Sequence, residues 1–161
     1  MKKQFVSVLT KLSLLGVIAL VAGSAQGQSP SNRLRANIPF DFAVGGRTLP
    51  AGTYSVGSAQ ISQDDLVILI RGVEGGSSSM NLTNPVQTAS PKDKPTLVFH
   101  RYGDQYFLFQ IWPAGASTGR ELLKSRSERQ IERNLAANAS AGKMAKSQTA
   151  EETVNVVGVL Q

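Results

Sequence analysis

The 161-residue chain has no cysteine and a single histidine, and these two shortages exclude much chemistry. Without cysteine the fold cannot use disulfides, even in a compartment that permits them. No lipid can be attached to a cysteine after the N-terminal apolar run, as it is in a lipoprotein. With only His100, a histidine-based metal centre is not expected. No G-x-S-x-G elbow occurs. The Gly/Ser-rich stretch 72–79 lacks the lysine that a phosphate-binding loop requires. Asp64-Asp65 has the composition of a turn, with no EF-hand spacing around it. No internal repeat is seen. Only one long apolar run exists, and it falls short of the roughly 20 residues that span a bilayer core.

That run is Leu12 to Gly23, behind Lys2, Lys3 and Lys11 and ahead of the small residues Ala22, Gly23, Ser24, Ala25 and Gly27. Charge, apolar stretch and small residues in that order are the pattern of a cleavable secretory signal. Residues 1–27 therefore read as a signal peptide, cut after Ala25 or, preferably, after Gly27. The expected location is periplasmic or extracellular. The mature chain is expected to have no transmembrane segment.

The formal net charge of +6 overstates the mature protein. Three lysines lie in the signal, which leaves about +3 by the usual charge count. The excess sits in 118–147, with 7 basic and 3 acidic residues. Export and so mild a charge argue against a nucleic-acid partner.

The mature chain is one domain's worth of residues. Residues 28–35 read as a flexible lead, 36–135 as a β-rich domain with a late helix, and 136–161 as a linker with a tail that is either strand-like or disordered. Ile38, Phe40 and Phe42 alternate within 36–44, as in a strand with one apolar face. Leu49-Pro50-Ala51-Gly52 is a turn, and Tyr54 and Val56 share a face beyond it. Leu66 to Arg71 is a continuous apolar run, expected to be buried on both faces. Residues 80–89 form a weaker strand, placed at an edge by Pro85. Residues 96–102 and 105–112 form a hairpin around Gly103-Asp104. Its expected pairs run from Tyr102 with Gln105 to Val98 with Phe109, with apolar residues on both faces. Thr118-x-x-Glu121 and Ser125-x-x-Glu128 each fit a capping box at the start of a helix, and Ser125 is preferred because Ile131 and Leu135 then form its apolar stripe. The fold class is mainly β: a small β-sandwich or partly closed β-barrel with one C-terminal helix.

Three stretches carry a resemblance. They are Ile38-Pro39-Phe40-Asp41-Phe42 with Leu49-Pro50-Ala51-Gly52-Thr53-Tyr54; Phe99-His100-Arg101-Tyr102-Gly103-Asp104 with Tyr106-Phe107-Leu108 and Gln110-Ile111-Trp112; and Gly119-Arg120-Glu121-Leu122 with Lys124-Ser125. Over roughly 36–133 the chain resembles an uncharacterised family of small exported bacterial proteins. The resemblance implies export, a bacterial source and one β-rich domain. It implies no activity, ligand or catalytic residue.

No residue set reads as catalytic, and no cofactor or metal is expected. The candidate ligand or partner surface comprises Arg101, Tyr102, Tyr106 and Trp112 on the hairpin, together with Arg126, Arg129 and Arg133 on one side of the helix. Arg101 opposite Tyr106 is placed for a cation–π contact. The expectation is an exported, non-enzymatic binding or envelope-associated β-module. Its partner would be an envelope protein, a glycan or an anionic surface. Two alternatives stand beside it: a small hydrolase or isomerase using His100 with a carboxylate, and an assembly protein acting through its C-terminal helix and tail.

Overall fold

The computed structural model describes residues 33–59, 66–140 and 152–160. The signal segment, Asp64-Asp65 and most of the expected linker lie outside these residues. The fold is mainly β, as expected, with one late helix. Among the described residues, eleven strands form a mixed sheet that is not closed into a barrel.

Strands β1 (Leu34–Ile38), β2 (Phe42–Val44), β3 (Arg47–Leu49) and β4 (Gly52–Ser58) come first. The single strand expected over 36–44 is thus two. Pro39 offers no N–H, and the chain breaks at Pro39-Phe40-Asp41 before β2 pairs with β3 and β8. Asp41 Oδ1 accepts the amide of Ala51 at 2.8 Å, and the Tyr54 hydroxyl donates to the Pro50 carbonyl at 2.7 Å. Those two bonds hold the expected turn. Then come β5 (Val67–Gly72), β6 (Ser78–Gln87), β7 (Thr96–Tyr102), β8 (Gln105–Trp112) and β9 (Thr118–Leu122). Helix α1 (Arg126–Ser140) precedes β10 (Glu152–Val157) and β11 (Val159–Leu160). The helix runs past the boundary expected at 135, and the tail from 152 to 160 is strand.

The chain forms two layers, β11-β1-β4-β5-β6 and β10-β7-β8-β9-β6. Strand β6 belongs to both. Its first half, Ser78 to Leu82, pairs with β5, and its second half, Thr83 to Gln87, pairs with β9. Pro85 lies in the second half, where β6 has one neighbour, so the missing donor breaks no ladder. The edge position expected for Pro85 holds locally. On the opposite side β10 pairs with β7 and β11 with β1, and Gly158 stands between them. The Gly158 amide donates to the Pro95 carbonyl at 2.8 Å. A Cβ there would lie 2.9 Å from the Arg35 carbonyl oxygen, so the crossing needs glycine.

The core lies between the layers. Leu34, Ala36, Ile38, Tyr54, Val56, Ile68 and Ile70 come from one side, and Leu97, Phe99, Leu108, Ile111 and Leu122 from the other. Phe42 packs edge-on against Tyr54 and Phe99, at 5.1 and 5.6 Å between ring centres. Strand β5 alternates instead of being buried on both faces. Ile68 and Ile70 point inward, while Val67 and Leu69 are only half-buried.

Candidate functional site

Where the core reaches one end of the two layers it remains open. Leu34, Val56, Ile68, Ile111 and Leu160 line a cleft of about 430 Å³. Pro113, Ala114 and Ala116, from the connection between β8 and β9, line it as well, with Ser58, Thr118 and Arg120 as the polar groups. Period-2 alternation puts Leu34, Val56 and Ile68 there, because each is an inward residue of its strand. Arg120 is the one charged residue among the described residues of the lining. Clefts of this size with apolar walls and a few polar groups hold small ligands.

The helix covers the other face of β7 and β8. His100 Nδ1 lies 2.8 Å from Glu128 Oε1, and the two side chains are 4% and 6% exposed. His100 also stacks on Phe109 at 3.8 Å between ring centres. One turn along, the Tyr102 hydroxyl donates to Glu132 Oε1 at 2.9 Å, and Lys124 Nζ donates to the same oxygen. The two contacts are in step. Four helical residues rise about 6 Å, and two strand residues about 6.7 Å. The Lys124 ammonium holds the Glu132 carboxyl below the ordinary carboxylate range; partial burial opposes it, and the Tyr102 bond and the charges of Lys124 and His100 add to it.

The capping expectation is met in half. Ser125 Oγ accepts the Glu128 amide at 3.1 Å, so Ser125 caps the helix. The Glu128 side chain turns to His100 instead of back to the cap. A histidine–carboxylate contact of this length is the geometry of a general base held by an acid. Here, however, both members are buried, and neither lines the cleft. Asp104, the nearer carboxylate in sequence, is exposed at the hairpin turn. Glu128 was legible only as a capping residue, 28 positions from its partner.

The expected surface residues separate into three settings. Tyr102 and Trp112 are buried, each 5% exposed. Trp112 Nε1 donates to Gln110 Oε1 at 3.1 Å, and Gln110 Nε2 donates to Glu121 Oε2 at 2.8 Å. Tyr106 is half-buried, stacked on Phe40 at 3.8 Å, with the Arg101 guanidinium 5.6 Å from its ring centre. The cation–π pair is therefore formed. Arg101 also donates to the Gly103 carbonyl at 2.8 Å and pairs with Glu152 of β10 at 3.2 Å, fastening the tail to the hairpin. Arg126, Arg129 and Arg133 are exposed on the helix. Arg129 donates to the Lys124 carbonyl, and Arg133 to Gln130 Oε1 at 2.9 Å. The structure does not gather these seven residues into one surface. The cleft residues Ile68, Ile111 and Arg120 were not singled out from sequence.

Among the described residues no group of three or more His, Cys, Asp or Glu side chains is placed to hold a metal ion. No helix among them is long and apolar enough to cross a membrane. Comparison with family models, with curated proteins and with solved structures finds no match, so the functional reading rests on this geometry.

Proposed function

We propose that the chain is an exported, non-enzymatic binding module that holds an apolar or amphiphilic envelope molecule in the cleft between its two layers. The observation that carries this reading is the cleft: apolar walls from five strands and a connection, with Arg120 and Thr118 as polar anchors. The single histidine is engaged in a buried contact with Glu128, away from that cleft. The charged, apolar and small-residue order of residues 1–27 supports export to the periplasm or beyond.

The test is a fluorescence titration of residues 32–161, which form a compact unit with its own core. The probe is anilinonaphthalene sulfonate, an apolar ring system with one anionic group. Saturable binding is expected, weakened about tenfold or more (~1.4 kcal/mol) by Ala116→Trp, which fills the cleft. Unsaturable binding, or equal binding by the filled variant with an unchanged melting temperature, contradicts the reading.

A further inference from the structure

The outward face of the β11-β1-β4-β5-β6 layer carries a second set of side chains, and the strand register shows how they line up. Residues directly opposite on neighbouring strands share a face. Val159, Arg35, Ser55, Arg71 and Ser78 form one continuous row across all five strands. Gly57, Leu69 and Met80 form the next. Arg33 extends this second row, because its side chain lies over Gly57, where a Cβ would come within 2.8 Å of its Cγ. Val67 and Leu82 make a third.

Five strands at about 4.8 Å make a face roughly 20 Å across. It holds three arginines, and among the described residues no aspartate or glutamate stands in these rows. Flanking the arginines, on β6 and β11, lie large apolar residues that folding leaves in water: Met80 is 55% exposed, Leu82 56% and Val159 62%. Leu69 is half-buried, in a shallow groove with Arg33 and Arg71. The run 66–71, expected to be covered on both sides, is covered on one.

We infer that this face docks onto an anionic lipid bilayer. Charge complementarity selects the anionic headgroups, which attract surface arginines. The apolar residues select a bilayer over a soluble acidic partner. Met80, Leu82 and Leu69 enter the boundary between headgroups and acyl chains, while the arginine stems lie along it with their guanidinium groups at phosphate level. A soluble polyanion would satisfy the arginines and leave the apolar rows in water. The face and the cleft adjoin at Gly57 and Ser58, which border both, but their side chains diverge. Leu34, Val56 and Ile68 point into the cleft, and Arg35 and Leu69, neighbours of Leu34 and Ile68 in sequence, point to the membrane.

Co-sedimentation of residues 32–161 with vesicles tests this. Vesicles of phosphatidylcholine with 30% phosphatidylglycerol, as a mole fraction of about 0.3 chosen to give a surface potential, are compared with phosphatidylcholine alone. Binding is expected on the anionic vesicles and not on the neutral ones. Arg33→Gln with Arg71→Gln should weaken it about 25-fold, about fivefold for each arginine. Met80→Ser with Leu82→Ser should weaken it about tenfold or more while the fold is kept, because both side chains are exposed. The cleft-filling Ala116→Trp variant should bind vesicles normally, so failure of the cleft reading and failure of this one are distinguishable. Equal binding to neutral vesicles, no binding to anionic ones, or loss through Arg126→Gln with Arg129→Gln and not through the sheet variants, overturns the inference. Capture by polyglutamate-binding competition alone, with no vesicle bound, does so as well.

Discussion

His100 and Glu128 show how one contact decides between a catalytic and a structural role. The pair is nearly sealed from solvent, with Phe109 stacked on the imidazole. Truncating either member leaves a buried polar group without that bond, which costs about 1–3 kcal/mol. Urea denaturation of His100→Ala and Glu128→Ala should each show a loss of that order. The double variant should lose less than the sum, by a coupling of about 0.5–3 kcal/mol. Additive losses would mean that the contact contributes nothing. Gly119 is a second such position. A Cβ there would stand 2.6 Å from the Trp112 ring and 2.9 Å from the Ile111 carbonyl oxygen. Gly119→Ala should therefore cost about 1–3 kcal/mol through overpacking, with a matching fall in melting temperature. A wild-type melting curve would show that the Trp112 ring moves aside freely.

At the scale of elements, the central hairpin shows what the sequence carries and where it stops. The Gly103-Asp104 turn, with Gly103 at φ +63°, sets the register, and the pairs from Tyr102–Gln105 to Phe99–Leu108 are those the turn implies. Beyond them the register slips by one. Val98 pairs with Gln110, which leaves Phe109 as the extra residue of a bulge. Ile111 and Trp112 therefore exchange the faces that simple alternation assigns them, and Ile111 joins the core and the cleft. Periodicity counts residues and does not see a bulge, so Ile111 was unreadable as a cleft residue. Glu128 was unreadable as a partner of His100 for a related reason: the contact depends on where the helix lands, which the cap alone does not fix. Ser125 itself was legible because capping is local.

The helix is fastened in part by Glu132, and this fixes the sign of one pH effect. A carboxyl held below its unfolded value stabilises the fold above that value. The stabilisation is lost as pH falls through the folded value. Stability measured by urea midpoint should decline below about pH 4.3. Lys124→Met, which removes the largest cause of the shift, should flatten that decline. An unchanged acid limb would rule out Glu132 as its source. The tail is the other fastening. Removing 152–161 uncovers the edge of β7 and the Leu34 end of β1, and a bare edge is open to pairing with other chains. The truncated protein should melt lower and associate in light scattering. A monomeric, equally stable truncation would mean that the tail is dispensable.

For the whole molecule, alternation in five strands sorts side chains into two chemistries. The inward residues make a core that opens at one end. The outward ones make a cationic, partly apolar face. With no cysteine, packing and the two crossings at β6 and Gly158 hold the layers together. The mainly β class with one late helix was legible because turn signals and short apolar runs recur along the chain. The cleft was not, since it is an end of the packed layers and has no local pattern. The most direct test of the binding account is an amide NMR titration of residues 32–161 with decanoate, a chain of apolar carbons ending in a carboxylate. The account predicts saturable shift changes centred on Leu34, Val56, Ile68, Ile111, Thr118 and Arg120, the residues that line the cleft. Changes confined to other surfaces, or none at saturating decanoate, would contradict it.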